Sequence, residues 1–291
     1  MPPPPRLWQT ESVNSSIEHV DEGGPIGVFD SGIGGLTVAA ALRRHLPHER
    51  ILYIGDTARV PYGGKSRKTV ERYGVEIGGL LLAEGAKMLV VACNTASALA
   101  IPRMRQVFNV PVQGVVKPGA EAAASTTRNG RIGVIGTRAT IASGAYERAI
   151  HAVRPDAEVF AAPCPLLVPA IEEGLFDDPI TDAILARTLE PLVAKDIDTL
   201  VLGCTHYPLA LPAIARSAGP KVTLVDSAEN CALAVKKLLA QLAMEAPGGS
   251  DPALEVCLTD ATEGFLRTAE QSLDLPIGDV RLLAVQAANG I

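Results

Sequence analysis

Two cysteines hold matching positions in this chain. Cys93 closes the run Leu89-Val90-Val91-Ala92, and Cys204 closes Leu200-Val201-Leu202-Gly203. Each apolar run reads as a buried strand. Polar residues follow each cysteine, Asn94-Thr95 in one case and Thr205-His206 in the other. In an open parallel sheet, ligands bind at the carboxyl ends of the strands. A thiol entering a helix there also gains acidity, because helix N-termini favour the thiolate. A single free cysteine is ordinarily a small buried apolar residue, and Cys93 alone does not outweigh that reading. A matched pair does. If the two strand ends confront each other across a cleft, one thiolate can take a proton from carbon while the other thiol returns one to the opposite face. Such a pair inverts a stereocentre, provided each sulfur is within hydrogen-bond reach and titrates near working pH.

The elements that must position the pair repeat along the sequence. Ile26-Gly27-Val28-Phe29 matches Ile132-Gly133-Val134-Ile135, 106 residues on (26 to 132). Val60-Pro61 matches Val168-Pro169 at 108 (60 to 168), and Cys93 matches Cys204 at 111 (93 to 204). Slowly rising offsets are the mark of two copies of one unit with small loop insertions. Within each copy, strand and helix patterns alternate, which predicts βαβ units and a parallel sheet. The expected helices include Ala139 to Val153 and Ile180 to Ala194, with an irregular loop over Pro163 to Pro169 between them. The last part has no second copy: a helix from Glu229 to Ala243, a strand from Glu255 to Leu258, a helix from Thr262 to Gln271 and a strand from Val280 to Val285. It reads as a return of the chain onto the first copy. The expected fold is α/β, two doubly wound parallel-sheet (flavodoxin-like) domains related by a pseudo-two-fold axis, with the site at their interface. The expected division is 25–117 plus 229–291 against 118–228.

Composition agrees with such a chain. Hydrophobic residues make up 47% of the 291 and aromatics 4%, so aliphatic side chains build the core. The formal net charge of −6, with no basic block, argues against nucleic acid or an anionic membrane as partner. No apolar run is long enough to span a bilayer. Met1 to Gly24 is rich in proline and polar residues and lacks the apolar centre of a secretory signal. It reads as a disordered or loosely attached extension. Five cysteines with no CxxC pair suggest neither a disulfide framework nor a zinc site, hence a reduced, cytoplasmic protein. Nothing in the chain suggests pyridoxal phosphate, flavin or metal, so the expectation is a cofactor-free site.

Other residues have two readings each. Asp30-Ser31 ends the first strand and can cap the next helix, or can border an anion site with Gly32, Gly34 and Gly35. The spacing is not GxGxxG, so a nucleotide- or phosphate-binding module is the weaker alternative, and it leaves the paired cysteines unexplained. Tyr62-Gly63 can be no more than a turn. Glu172 and Glu173 can be a solvated helix face.

With these residues in view, the sequence resembles the cofactor-independent glutamate racemases of bacteria, in the aspartate/glutamate racemase superfamily. The resemblance rests on Gly27-Val28-Phe29-Asp30-Ser31-Gly32-Ile33-Gly34-Gly35-Leu36-Thr37-Val38, Asp56-Thr57-Ala58-Arg59-Val60-Pro61-Tyr62-Gly63, Ala92-Cys93-Asn94-Thr95-Ala96 and Gly203-Cys204-Thr205-His206-Tyr207-Pro208-Leu209. It begins near Pro25, so the first 24 residues lie outside it. The resemblance implies that Cys93 takes the proton from D-glutamate and Cys204 from L-glutamate. It implies that Asp30 and His206 assist Cys93 and Cys204 respectively. It makes Ser31, Tyr62, Gly63, Asn94, Thr95 and Thr205 substrate contacts, together with Asp30 and His206. Glu172 matches the family's assisting glutamate, with the adjacent Glu173 as the alternative register. The resemblance further implies a homodimer and a product, D-glutamate, used for peptidoglycan. The same chemistry on aspartate or a hydantoin is the neighbouring alternative.

Overall fold

The structure is a computed structural model that describes residues 23–249, 251–260 and 277–283. The expected extension therefore lies almost wholly outside the described residues, as does the expected helix from Thr262 to Gln271. The first run of elements is β1 (Ile26–Asp30), α1 (Leu36–His45), β2 (Ile51–Gly55), α2 (Arg67–Ala83), β3 (Met88–Val91), α3 (Asn94–Leu99), α4 (Ile101–Val107), β4 (Val112–Gly114) and α5 (Val116–Thr126). The second is β5 (Arg131–Gly136), α6 (Arg138–Ala142), α7 (Ala145–Val153), β6 (Glu158–Pro163), α8 (Leu167–Glu172), α9 (Pro179–Val193), β7 (Thr199–Gly203), α10 (Leu211–Ala218) and β8 (Thr223–Asp226). Then α11 (Ser227–Leu242), β9 (Leu254–Leu258) and β10 (Ile277–Leu282) complete the described chain.

Every strand pairing is parallel. One sheet runs β10-β9-β2-β1-β3-β4 and the other β6-β5-β7-β8. The order β2-β1-β3-β4 is thus repeated strand for strand by β6-β5-β7-β8, and β9 adds to the outer edge of β2. All five residues of β1, β2 and β7 are buried. Helices on both faces require that of a parallel sheet and explain strands without alternation. Helix starts follow local chemistry: Ser66 accepts from the Thr69 amide at α2, and Asp178 from the Ile180 amide at α9, with Pro179 in the first turn.

Two expectations change in detail. The helix expected from Ala139 to Val153 is two helices, α6 and α7, broken at Gly144, whose φ of 63° is left-handed and suits a residue without Cβ. The loop expected through Pro169 ends early, because α8 already starts at Leu167. Val60-Pro61 and Val168-Pro169 therefore repeat in sequence but not in local conformation.

Among the described residues, no strand pairs across from one sheet to the other. We propose the division 25–117 with 229–291 against 118–228 on that support, noting that residues 117 and 118 fall in the first turn of α5. The two units share apolar packing. One cluster of buried side chains runs from Phe29, Leu89 and Val91 through Ala120, Ala123 and Ala124 of α5 to Ile132, Val134 and Val201. Small residues on α5 let it lie between α7 and α11, both of which it packs against.

The opposite, amino ends of the first sheet's strands are tied by a buried ion pair. Lys87 and Glu49 meet at 2.8 Å, Lys87 Nζ donates to the Met244 carbonyl at 2.6 Å, and Glu49 accepts from the Ala246 amide at 2.7 Å. This clasp holds the chain leaving α11 against the sheet. Removing one partner of a buried pair leaves an uncompensated charge. Glu49→Ala is expected to lower stability by about 3–5 kcal/mol, read as a fall in the urea midpoint.

Candidate active site

Cys93 and Cys204 follow the central strands β3 and β7 and line one cavity of about 190 Å³ between the two units. Ser31, Tyr62, Gly63, Asn94, Thr95, Glu172, Thr205 and His206 also line it. Asp30, fully buried at the end of β1, sits just behind.

The surroundings of the two thiols differ. Cys93 caps α3 and has Ser31 Oγ at 3.7 Å. Burial pushes its pKa well above the ordinary thiol value, and the Asp30 carboxylate pushes it the same way. The Ala96 amide and Ser31 oppose this only in part. The acidity expected from the helix N-terminus is therefore overturned: α3 is a single short helix, and desolvation beside a carboxylate outweighs it. Cys204 instead lies 3.9 Å from His206 Nδ1, and His206 Nε2 lies 3.2 Å from Glu172 Oε1. Burial opposes charge on that imidazole, but its bonds to Cys204 and Glu172, helped by Asp30, raise its pKa to about 10. An imidazolium donates from both ring nitrogens, which suits a place between sulfur and carboxylate. Glu172, at the end of α8, is the carboxylate that reaches His206.

Asp30 does more than one thing. Its Oδ2 accepts from the Gly32 and Gly35 amides at 3.0 and 3.1 Å, so the capping reading holds. Its Oδ1 accepts from Thr205 Oγ1 at 3.4 Å, a bond that joins the two units. No hydrogen bond between Asp30 and Cys93 occurs among the described residues, and Asp30 acts on that thiol through its charge. Tyr62 is also not a free hydroxyl, because it donates to Asp56, which in turn pairs with Arg59. Gly63 passes so close to Thr137 that a Cβ there would come within 2.6 Å.

Thr95 Oγ1 lies 2.9 Å from Thr137 Oγ1 and 3.2 Å from Thr140 Oγ1. Thr137 and Arg138 line the cavity from the second unit, and sequence reasoning passed over them. The repeat held the signal: the offset of 106 that places β1 on β5 carries Ser31 onto Thr137. Asn94 is 2% exposed, with Oδ1 bonded to the Tyr146 hydroxyl and Nδ2 buried without a partner among the described residues.

Two hydroxyl-lined, cysteine-bearing strand ends of this kind can be compared with known proteins. The sequence profile of Asp/Glu/hydantoin racemases matches residues 36–235. The chain belongs to this family. Among its racemase relatives, a glutamate racemase of Geobacter metallireducens is 45% identical over 262 residues, covering 90% of this chain and 97% of that protein. A glutamate racemase of Bacillus anthracis superposes with a TM-score of 0.86 at 40% identity, covering 90% and 98% of the two chains. A racemase structure from Francisella tularensis, solved in complex with D-glutamate, gives 0.85 at 34% identity, covering 91% and 98%. The chain is thus a racemase by family, and an isomerase by the activity for which its relatives are named.

Gly34 also approaches the second unit closely. A Cβ there would lie 2.5 Å from Thr205 Oγ1 and 2.6 Å from His206 Nδ1. Gly34→Ala must displace the loop that carries Cys204 and its imidazole. Misplacing reacting groups by an ångström costs on the order of 100-fold, so racemase activity is expected to fall about that far while circular dichroism shows an intact fold.

Proposed function

We propose that this chain interconverts L- and D-glutamate by two-base proton transfer between Cys204 and Cys93, without a cofactor. The carrying observation is that two thiols at equivalent strand ends line one cavity, one backed by an imidazole and carboxylate and the other held in its thiol form by burial. In the L-to-D direction, the Cys204 thiolate, paired with His206 as imidazolium, takes the α-proton. The electron pair left on the α-carbon delocalises into the α-carboxylate. There the donors Asn94 and Thr95 meet developing charge, which is where preorganised hydrogen bonds accelerate a reaction, while Thr205, whose hydroxyl donates to Asp30, remains a proposed contact. The Cys93 thiol then gives its proton to the opposite face, leaving Cys93 as thiolate and Cys204 as thiol. D-glutamate reverses each step. Asp30 and Glu172 suit the substrate ammonium, and an ammonium beside Asp30 offsets the charge that keeps Cys93 protonated. Ser31, Tyr62 and Gly63 remain proposed contacts, with Tyr62 acting through its ring or backbone, since its hydroxyl is held by Asp56.

The relatives' names support glutamate as the substrate, and the family resemblance supports a homodimer making D-glutamate for peptidoglycan. A cytoplasmic site of action is in keeping with five free cysteines. Among the described residues, no helix is long and apolar enough to cross a membrane.

In deuterated water, each enantiomer of glutamate should give product carrying deuterium at the α-carbon; product that keeps the original hydrogen would overturn the reading. Cys93→Ala should still exchange the α-hydrogen of L-glutamate, and Cys204→Ala that of D-glutamate, while neither inverts it. Variants that racemise at the parent rate would end the two-thiol assignment.

The imidazole gives a pH test. A pKa raised to about 10 keeps His206 charged at neutral pH, and that charge is lost as pH rises through this value. Glu172→Gln removes one of the bonds holding the proton. Because the Glu172 side chain is 37% exposed, the discounted effect is about one pKa unit. The alkaline limb of kcat/KM is expected to move to lower pH by that amount in Glu172→Gln.

A further inference from the structure

The buried hydroxyl of Tyr146 touches the site from behind. Tyr146 stands in the first turn of α7, with its hydroxyl 2.6 Å from Asn94 Oδ1 and 2.9 Å from Ser227 Oγ. Ser227 Oγ is also 3.2 Å from the Leu202 carbonyl oxygen. The three side chains come from α3, α7 and α11, so the contact spans both units and the helix that returns the chain to the first sheet. A phenol has one proton to give, and two arrangements are open to the group.

In the first, Tyr146 donates to Asn94 Oδ1, and Ser227 donates to Tyr146 or to the Leu202 carbonyl. The amide Nδ2 is then left over. In the second, Ser227 donates to Leu202, Tyr146 donates to Ser227, and a turned amide donates Nδ2 to Tyr146. Its Oδ1 would then be left over. The distance from Tyr146 to Asn94 favours the first. A separation of 2.6 Å is an O–H···O length, shorter than the roughly 2.9–3.0 Å usual for N–H···O. Burial raises the Tyr146 pKa and keeps the phenol a donor.

The consequence falls on the cavity. Asn94 lines it, and among the described residues Nδ2 is buried with no partner. Buried donors are rarely left unbonded, since an unmet one costs free energy. The unmet donor points to a ligand that accepts.

We propose that Tyr146 is a positioning residue: by donating to Asn94 Oδ1 it turns the Asn94 amide so that Nδ2 faces the cavity as a donor for a substrate carboxylate. Without it the amide is free to turn and offer an acceptor that repels the same carboxylate. The inference rests on the glutamate racemase reading above.

The test is steady-state racemisation of both enantiomers by Tyr146→Phe. kcat/KM is expected to fall about three- to tenfold, the worth of one neutral hydrogen bond, with the thermal midpoint close to that of the parent. In an Asn94→Ala background, Tyr146→Phe should add nothing, because the amide it orients is gone. An unchanged kcat/KM in Tyr146→Phe, or an equal fall in the Asn94→Ala background, would overturn the proposal. A parent protein inactive on glutamate would instead fail the functional reading itself. If Tyr146→Phe does not fold, the parent decides: the Asn94 side-chain amide proton signals, assigned by their loss in Asn94→Ala, should shift on adding D-glutamate. Signals that stay in place while the α-protons exchange overturn it.

Discussion

Asp30 is the point at which the demands on this fold meet. One carboxylate oxygen holds the Gly32 and Gly35 amides in the turn after β1, and the other receives Thr205 from the opposite unit. The same charge raises the pKa of both Cys93 and His206. A fully buried carboxylate is costly unless its lone pairs are met, and these bonds meet them from both sides of the cleft. The turn, the joint between the units and the protonation of both halves of the site therefore depend on one side chain. Close approach at Gly34 belongs to the same joint, since its neighbours are Thr205 and His206.

The two thiols sit in unlike settings although their strands are equivalent. Around Cys93, low dielectric and a nearby negative charge favour the neutral thiol. Around Cys204, a charged imidazole braced by Glu172 supplies the counter-charge for a thiolate. Inversion in either direction needs one sulfur bare and one protonated at the start. The neighbours of Cys93 favour its protonated form, the state from which the proposed L-to-D direction starts; D-to-L inversion starts from the opposite state, with Cys93 bare.

The apolar core bears on how the cavity is held. Side chains from both sheets join one cluster through α5, whose alanines allow close packing. The polar joint at Asp30 and the hydrogen bonds linking Tyr146 to Asn94 and Ser227 add to this shared core. Cavity-lining groups from the two units are thereby tied to each other as well as to their own strands.

By itself the sequence determined the repeat, the alternation of strand and helix, and the pairing of Cys93 with Cys204. These are local or periodic features: burial on both faces makes β1, β3, β5 and β7 uninterrupted apolar runs, and a duplicated unit leaves fixed offsets. Ser31 and Thr137 were legible by the same offset, though only the structure drew notice to Thr137. Tertiary structure alone decided which carboxylate, Glu172 or Glu173, meets His206, since adjacent residues on a helix end differ only in direction. It decided that Tyr62 spends its hydroxyl on Asp56, that α6 and α7 part at Gly144, and that Tyr146 stands behind Asn94. It also reversed the expected acidity of Cys93. Protonation depends on burial and on charges that approach from distant segments, and no spacing along the chain records those distances.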